Sequence, residues 1–100
     1  MSNPKPFSNN LTDFLKALGN EKRQNILLNI FADGHEYNFT EVAAKADIAQ
    51  STASEHLSML KRVGILMSRK IEKEVFYRLD RPGIIASIDE IKSVLCCCLK

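Results

Sequence analysis

The sequence predicts a mostly α-helical fold with one small β-hairpin, and three observations lead to this class. Apolar residues recur at three- and four-residue steps through most of the chain, which is the spacing of amphipathic helices. Two short segments rich in Ile, Val, Phe and Tyr, residues 65–70 and 75–79, instead indicate strands. The length of 100 residues is that of one domain. We therefore expect residues 11–100 to form a single domain, preceded by a flexible arm over residues 1–10.

The first two helices are predicted on either side of Gly19-Asn20, which interrupts the helical periodicity. Thr12 is the candidate cap of a helix that continues to residue 18. The second helix is expected over residues 21–32, where Asp33-Gly34 then ends it. Residues 35–39 form a connector with room for a short strand.

A short third helix over residues 41–45 and a longer fourth helix are predicted next, with a turn over residues 46–50 between them. Thr40 is the candidate cap of the third helix. Ser51 is the candidate cap of the fourth, because a serine hydroxyl can accept a hydrogen bond from the first turn. Gly64 ends the fourth helix, since glycine readily adopts the left-handed conformation. The apolar stripe of the fourth helix comprises Ala53, Leu57, Leu60 and Val63.

The hairpin and a last helix follow. The hairpin tip, residues 71–74, contains no Gly or Asn, so we expect a loop longer than two residues. Pro82 fits the first turn of the last helix. An apolar seam then recurs at helical spacing. It comprises Ile84, Ile88, Ile91, Leu95 and Leu99.

This order of elements is that of a winged helix-turn-helix with flanking N- and C-terminal dimerisation helices. The apolar stripes of the flanking helices exceed what one small core needs, which favours an interface between two copies of the chain. Two copies of the fourth helix would then face successive major grooves about one DNA turn apart. The predicted interface comprises Leu11, Phe14, Leu15, Leu18, Ile84, Ile88, Ile91 and Leu95.

The charge distribution also favours contact with DNA. The net charge is only +2, yet residues 1–60 carry five Lys or Arg against seven Asp or Glu, and residues 61–100 carry nine against five. A basic surface beside a helix-turn-helix pattern suits a polyanion, although a solvated surface gives the same charge run. Short polar side chains opposite the apolar stripe of the fourth helix can reach base edges and phosphates.

Other classes of protein are not favoured. No segment approaches the roughly 18 apolar residues that span a bilayer, and residues 1–10 lack the apolar core of a signal peptide. We therefore expect a cytoplasmic protein without contact to a membrane. No Gly-rich phosphate loop or metal-binding His pair indicates an enzyme, and no cofactor is expected to be required. A winged-helix module that binds another protein stays open as an alternative.

Three segments give the sequence a specific resemblance to the ArsR/SmtB family of bacterial repressors, over roughly residues 15–95. They are residues 15–23 (LKALGNEKR), residues 51–66 and residues 75–79 (VFYRL). The resemblance implies a homodimer that represses its own operon at an inverted-repeat operator and dissociates when an inducer binds. It also implies that the fourth helix enters the major groove, with the basic hairpin near the flanking phosphates. The predicted DNA-binding residues are Gln50, Ser51, Thr52, Ser54, Glu55, His56, Lys61, Arg62, Arg69, Lys70 and Lys73.

Two features depart from the pattern of this family. Glu55 lies on a surface that is more often basic or neutral, so it must point away from phosphate or accept from a cytosine amino group. At the hairpin tip, Glu72 and Glu74 alternate with the cations, so we expect a weaker contact between the hairpin and the DNA phosphates.

The inducer site varies within the family, and two of its forms do not match this sequence. The Cys-x-Cys sensor of arsenic- and cadmium-type members begins the third helix, where residues 40–44 here contain no Cys. The zinc ligands of other members correspond to positions near Arg81, Gly83, Val94 and Cys97, of which only one could bind a metal.

The remaining candidate is the run Cys96, Cys97 and Cys98, the three cysteines of the chain. Three thiols match the ligand count of As(III) or Sb(III), soft ions that would act as the inducer. However, consecutive helical side chains point about 100° apart, so the helix end must unwind or the thiols of two subunits must converge. Two other interpretations stay open: a redox or sulfide sensor that uses these thiols, and cysteines that only pack as small apolar residues.

Overall fold

The computed structural model describes residues 7–96, which form five α-helices, one short 3₁₀-helix and a two-stranded antiparallel sheet. The order confirms the predicted class, a mostly α-helical winged helix-turn-helix with a small hairpin. Residues 9 and 10, predicted within the arm, are helical, and residues 1–6 of the predicted arm lie outside the described residues. The helices are α1 (Asn9–Leu18), α2 (Glu21–Asn29), α3 (Phe39–Ala46), α4 (Gln50–Arg62) and α5 (Arg81–Cys96), and the strands are β1 (Leu66–Ile71) and β2 (Glu74–Leu79).

Two helices begin earlier than predicted because a polar side chain upstream supplies the cap. Ser8 Oγ, and not Thr12, caps α1 by accepting from the backbone N–H of Leu11 at 3.1 Å. Asn38, and not Thr40, caps α3: its side chain accepts from the N–H of Glu41, whose carboxylate accepts in return from the N–H of Asn38. This reciprocal capping box satisfies two orphan donors at once.

The fourth helix has no side-chain cap. Ala49 occupies the N-cap position of α4, and Ser51 lies one residue inside the helix, so the prediction of a Ser51 cap is wrong. The end of the helix matches the prediction more closely, because Gly64, two residues after Arg62, has a left-handed φ of 85°. Helix α2 ends at Asn29, earlier than predicted, because the 3₁₀-helix Phe31–Asp33 follows it.

The hairpin turn is tighter than predicted. Strand pairing continues to Ile71 opposite Glu74, which leaves only Glu72 and Lys73 in the turn. Glu72 takes a φ of 57°, a left-handed conformation that costs a non-glycine residue about 1–2 kcal/mol. The ladder offsets this cost, so the expectation of a longer loop is wrong. The connector before α3 contributes a single bridge, in which Tyr37 and Tyr77 exchange two backbone hydrogen bonds of 2.9 Å.

One hydrophobic core joins α1, α2, α3 and α4 to the start of β1. Leu11 and Phe14 are 1% and 2% exposed in this core, which corrects their assignment to the dimer interface, since neither has surface to offer a partner. Leu18 also packs partly against the core. Of the interface residues predicted on α1, Leu15 is the one that is exposed, at 37%.

Helix α5 has no buried residue over its described length. Ile84 and Ile91 pack partly against the core, whereas Ile88 and Leu95 are 47% and 55% exposed. Ile85, which the predicted seam omitted, is 57% exposed, and Leu99 lies outside the described residues. Within residues 7–96, an apolar strip on α5 formed by Ile85, Ile88 and Leu95 is therefore left uncovered. None of the helices within residues 7–96 is long and apolar enough to cross a membrane.

Candidate nucleic-acid interface

Helix α4 separates a fully buried side from a polar side. Ala53, Leu57 and Leu60 are 0% exposed and fix the helix in the core. Thr52 and His56 are half-buried at the border between the two sides. The remaining residues predicted on α4 to contact DNA are all exposed. They are Gln50, Ser51, Ser54, Glu55, Lys61 and Arg62.

The start of α4 has properties that suit an anion. Because Ala49 has no side-chain acceptor, no N-cap side chain satisfies the first N–H groups of this 13-residue helix. These groups and the helix dipole attract negative charge. The missing cap, which contradicts the prediction for Ser51, therefore leaves both the backbone donors and the Ser51 hydroxyl available for phosphate or base contacts.

A groove of about 280 Å³ lies between the start of α3, the polar side of α4 and the hairpin tip. Ser54 and Lys73, which are predicted DNA contacts from two different elements, both line this groove, together with Thr40. Asn38 Nδ2 donates to Glu74 Oε1 at 3.2 Å, which joins the start of α3 to the tip. The groove therefore brings a hydroxyl and a cation to one concave surface.

The two faces of the hairpin carry different cations. Residues of paired strands alternate between faces, so Lys70 shares a face with Ser68 and its partner Tyr77, which packs partly against the core. Arg69 lies on the opposite face, where its Nε and Nη2 donate to the two carboxylate oxygens of Glu36 at 2.8 and 2.7 Å. This pairing lowers the pKa of Glu36 and raises that of Arg69. The structure thus does not bring Arg69 together with the polar side of α4.

Glu55 and Arg62 share a shallow groove on the polar side of α4 with Ser58, which the sequence analysis did not select. The exposed carboxylate of Glu55 therefore remains a departure from a basic DNA-facing surface. Arg62 Nη2 lies 3.0 Å from the sulfur of Met59 one turn earlier, which holds the guanidinium along the helix.

His56 contacts a residue that the sequence analysis missed. Its Nδ1 lies 3.4 Å from Nη1 of Arg23, which is 33 positions away in the sequence. Burial lowers the pKa of His56 below its ordinary 6.5, and the positive charges of Arg23 and Lys22 lower it further, against a smaller opposite effect of Glu55. These effects favour the neutral form of the ring. The contact with Arg23 fixes α4 to the neighbouring helix α2.

Cys96 is the last described residue of α5 and is exposed. Cys97 and Cys98 lie outside the described residues. Within residues 7–96, no three His, Cys, Asp or Glu side chains come close enough together to hold a metal ion. The three-thiol inducer site therefore stays a prediction.

Among the residues of this surface that the sequence did not predict are Arg23, Asn38, Thr40 and Ser58. Asn38 has a detectable signal, because Asn followed three residues later by Glu is the pattern of a capping box. Arg23 has none, since its partner is distant in sequence and surface arginines are common. The sequence predicts Thr40 as a helix cap and not as part of this surface.

The helix-turn-helix region matches the model of a known family. The model described as "Bacterial regulatory protein, arsR family" matches residues 21–68, which span α2, α3 and α4. The transcriptional activator HlyU of Vibrio cholerae is 33% identical over 82 residues, which cover 82% of this chain and 74% of that protein. The structure of HlyU is similar with a TM-score of 0.63 at 31% identity, over 87% of this chain and 92% of HlyU.

Two further proteins extend the comparison. The biofilm growth-associated repressor of Agrobacterium fabrum is 34% identical over 61 residues, which cover 61% of this chain and 52% of the repressor. A homodimeric winged helix-turn-helix DNA-binding domain from Mycobacterium bovis has the same fold, with a TM-score of 0.66 at 23% identity over 92% of each chain. This chain therefore belongs to the arsR family of bacterial regulatory proteins, and it is a DNA-binding transcriptional regulator rather than an enzyme.

Proposed function

We propose that this chain is a homodimeric repressor that binds an inverted-repeat operator through α4 and the hairpin. One observation carries the proposal. Side chains that are 0% exposed fix helix α4 in the core. The polar side of α4 borders the groove that Ser54 and Lys73 both line. A helix held in this way presents hydroxyls and cations at fixed positions, as major-groove readout requires.

Dimerisation is supported by the uncovered strip on α5. Ile85, Ile88 and Leu95 are each about half exposed, a concentration of apolar surface that a monomer rarely leaves in water. The related domain from Mycobacterium bovis is described as homodimeric. In a two-fold dimer the same strip of each protomer forms the contact, and two copies of α4 face the same side of the DNA.

Repression is the direction of regulation that the family resemblance implies. The similar proteins include an activator, HlyU, and a biofilm growth-associated repressor. A promoter–reporter fusion tests the direction in cells with and without the gene. A repressor predicts higher reporter output in its absence, and lower output in its absence would assign activation. As a DNA-binding transcriptional regulator, the protein would act in the cytoplasm.

DNA binding is tested by fluorescence anisotropy of a labelled duplex from upstream of the gene. Ser54→Ala combined with His56→Ala removes two polar groups from the α4 surface, so we expect weaker binding than for the wild type. Ser93→Ala removes an exposed hydroxyl from α5 and is the matched control, with expected unchanged affinity. Unchanged affinity of the α4 double variant would contradict the proposal and favour the protein-binding module.

We further propose that As(III) or Sb(III), bound by Cys96, Cys97 and Cys98, releases the operator, and that DNA binding itself requires no cofactor. The exposure of the Cys96 thiol at the end of α5 supports access for a soft ion. Because α5 also carries the apolar strip, a ligand there could change the angle between protomers and favour the dimer that does not bind DNA.

The inducer is tested with fully reduced protein bound to the labelled duplex. Stoichiometric arsenite or antimonite should release the DNA from the wild type but not from a variant with all three cysteines changed to Ser. DNA binding that neither arsenite nor antimonite changes would contradict the proposal that As(III) or Sb(III) is the inducer. Release by peroxide or a persulfide donor in that case would instead assign the redox or sulfide sensor.

A further inference from the structure

Arg23 connects three helices at one point. Its Nε donates to the carbonyl oxygen of Ala17 at 3.0 Å, and its Nη2 lies 3.5 Å from the carbonyl oxygen of Lys16. Both carbonyls belong to the last turn of α1, where intrahelical donors run out, and the carbonyl oxygen of Lys16 also accepts from the N–H of Gly19 at 3.2 Å. The third nitrogen, Nη1, reaches Nδ1 of His56 on α4. The half-buried guanidinium thus uses all three nitrogens to link α1 and α2 to α4.

This contact determines which nitrogen of His56 carries the proton. A guanidinium has five N–H donors and no acceptor, so Nδ1 of His56 must be the acceptor. The neutral imidazole therefore carries its proton on Nε2, which is left as a hydrogen-bond donor. Within residues 7–96, no other group forms a hydrogen bond with this ring.

The position of His56 on α4 suits its Nε2–H for a contact with DNA. It lies at the border of the polar side of α4, two residues after Ser54, which lines the groove next to the hairpin tip. DNA offers acceptors both at phosphate oxygens and at base edges. A donor with a fixed orientation costs less entropy on binding than one that must first be ordered.

We propose that Arg23 is a positioning residue for DNA recognition: it holds His56 in one orientation and in the Nε2–H tautomer, so that Nε2–H donates to an acceptor on DNA. This inference rests on the proposed DNA-binding function. A lysine cannot replace Arg23, because its single ammonium lacks the planar fork that reaches two carbonyls and an imidazole together.

The tautomer is tested first, without DNA, by ¹⁵N NMR of the imidazole nitrogens. The chain has two histidines, and the exposed His35 serves as an internal control. We expect the Nε2–H form to dominate at His56 in the wild type and a mixture of tautomers in Arg23→Lys, with His35 unchanged. An unchanged His56 tautomer in Arg23→Lys would overturn the proposal.

DNA affinity then shows whether Arg23 acts through His56. Arg23→Lys should weaken binding to the upstream duplex by roughly three- to tenfold, the value of about one hydrogen bond. His56→Asn keeps an acceptor close to Nδ1 but removes the Nε2 donor, so it should cause a similar loss. In the His56→Asn background, Arg23→Lys should then add little, because both changes remove the same contact.

Several outcomes would contradict this inference. Fully additive losses would mean that Arg23 acts by another route, such as its own phosphate contact or the stability of the fold, which the melting temperature of each variant measures. A wild type that does not bind the upstream duplex would overturn the proposed function together with this inference. Equal losses on operator and unrelated DNA would assign the acceptor to a phosphate, and a loss confined to the operator would assign it to a base.

Discussion

Gly83→Ala tests how closely α5 is packed against the end of α4. Gly83 lies in the first turn of α5, where its N–H donates to Asp80 Oδ1 at 3.0 Å. A Cβ at this position would lie 2.5 Å from the carbonyl oxygen of Gly64 and 2.7 Å from Asp80 Oδ2. The Gly64 oxygen is backbone and the Asp80 side chain is engaged as a cap, so neither can yield cheaply. The N–H of Asp80 also donates to the carbonyl of Ile65 at 2.8 Å.

The expected magnitude follows from two opposing effects. Overpacking of this kind costs about 1–3 kcal/mol, whereas alanine gains up to about 1 kcal/mol over glycine in a helix. The net expectation for Gly83→Ala is a loss of about 1–2 kcal/mol in the free energy of unfolding. For a domain of this size each kcal/mol shifts the melting temperature by roughly 4–8 °C. Thermal unfolding followed by circular dichroism measures the shift at one fixed protein concentration, because dimerisation makes the midpoint concentration-dependent.

Two other glycines provide matched controls. At Gly19 the added Cβ would lie 3.4 Å from the carbonyl oxygen of Leu15 and φ is −76°, so Gly19→Ala should be neutral or stabilise by up to about 1 kcal/mol. At Gly64 no atom lies within 4 Å, but φ is 85°, so Gly64→Ala should cost about 1–2 kcal/mol through backbone strain alone. A Gly83→Ala protein as stable as the Gly19→Ala protein would refute the reasoning from close packing.

Three further predictions concern the interface, the histidine and a helix cap. Lys73→Ala should weaken binding equally for all DNA sequences and should reduce the slope of log affinity against log salt concentration by about one unit. Arg69→Ala changes the other face of the hairpin and should leave this slope unchanged in anisotropy titrations at several salt concentrations. Equal slopes for the two variants would contradict the assignment of these residues to two faces. Because folding lowers the pKa of His56, the unfolded chain binds protons at this residue more readily than the folded chain does. The contribution of His56 to the free energy of unfolding is therefore complete above the ordinary pKa of 6.5, and it is lost as the pH falls through the lowered pKa of the folded state. Urea unfolding between pH 7 and pH 5 should therefore show a smaller loss in His56→Asn than in the wild type, and an equal loss would remove His56 as the source. Asn38→Ala removes the capping box and should cost about 1 kcal/mol in the same assay, whereas Thr40→Ala, which removes no cap, should cost less; the reverse order would contradict the assigned cap.

The order of elements was predictable because hydrophobic spacing and left-handed glycines act locally. Gly64 follows the end of α4 as expected, because the left-handed conformation that ends a helix depends on this one glycine. The caps were less predictable, because Ser8 and Thr12 are both residues that favour an N-cap. Which of them caps α1 depends on which residue has the extended backbone of an N-cap, and tertiary packing of the helix decides this.

The exposure of the predicted DNA-binding residues was predictable within one element and not where two elements meet. The stripe of α4 separates polar from buried residues by its own period. Arg69 and Lys70 illustrate the opposite case, because the pairing register decides which face of the hairpin each one occupies. Leu11 and Phe14 form a stripe that suits a protomer core and a dimer interface equally, and only their burial distinguishes the two.

Hydroxyl-radical footprinting of the upstream DNA tests most directly that this protein is a dimer that reads DNA with two copies of α4. We predict two protected stretches whose centres lie about one helical turn, or a whole multiple of it, apart. Both stretches should disappear together when Ser54→Ala and His56→Ala are combined. A single protected stretch, or protection that survives this double substitution, would contradict the account.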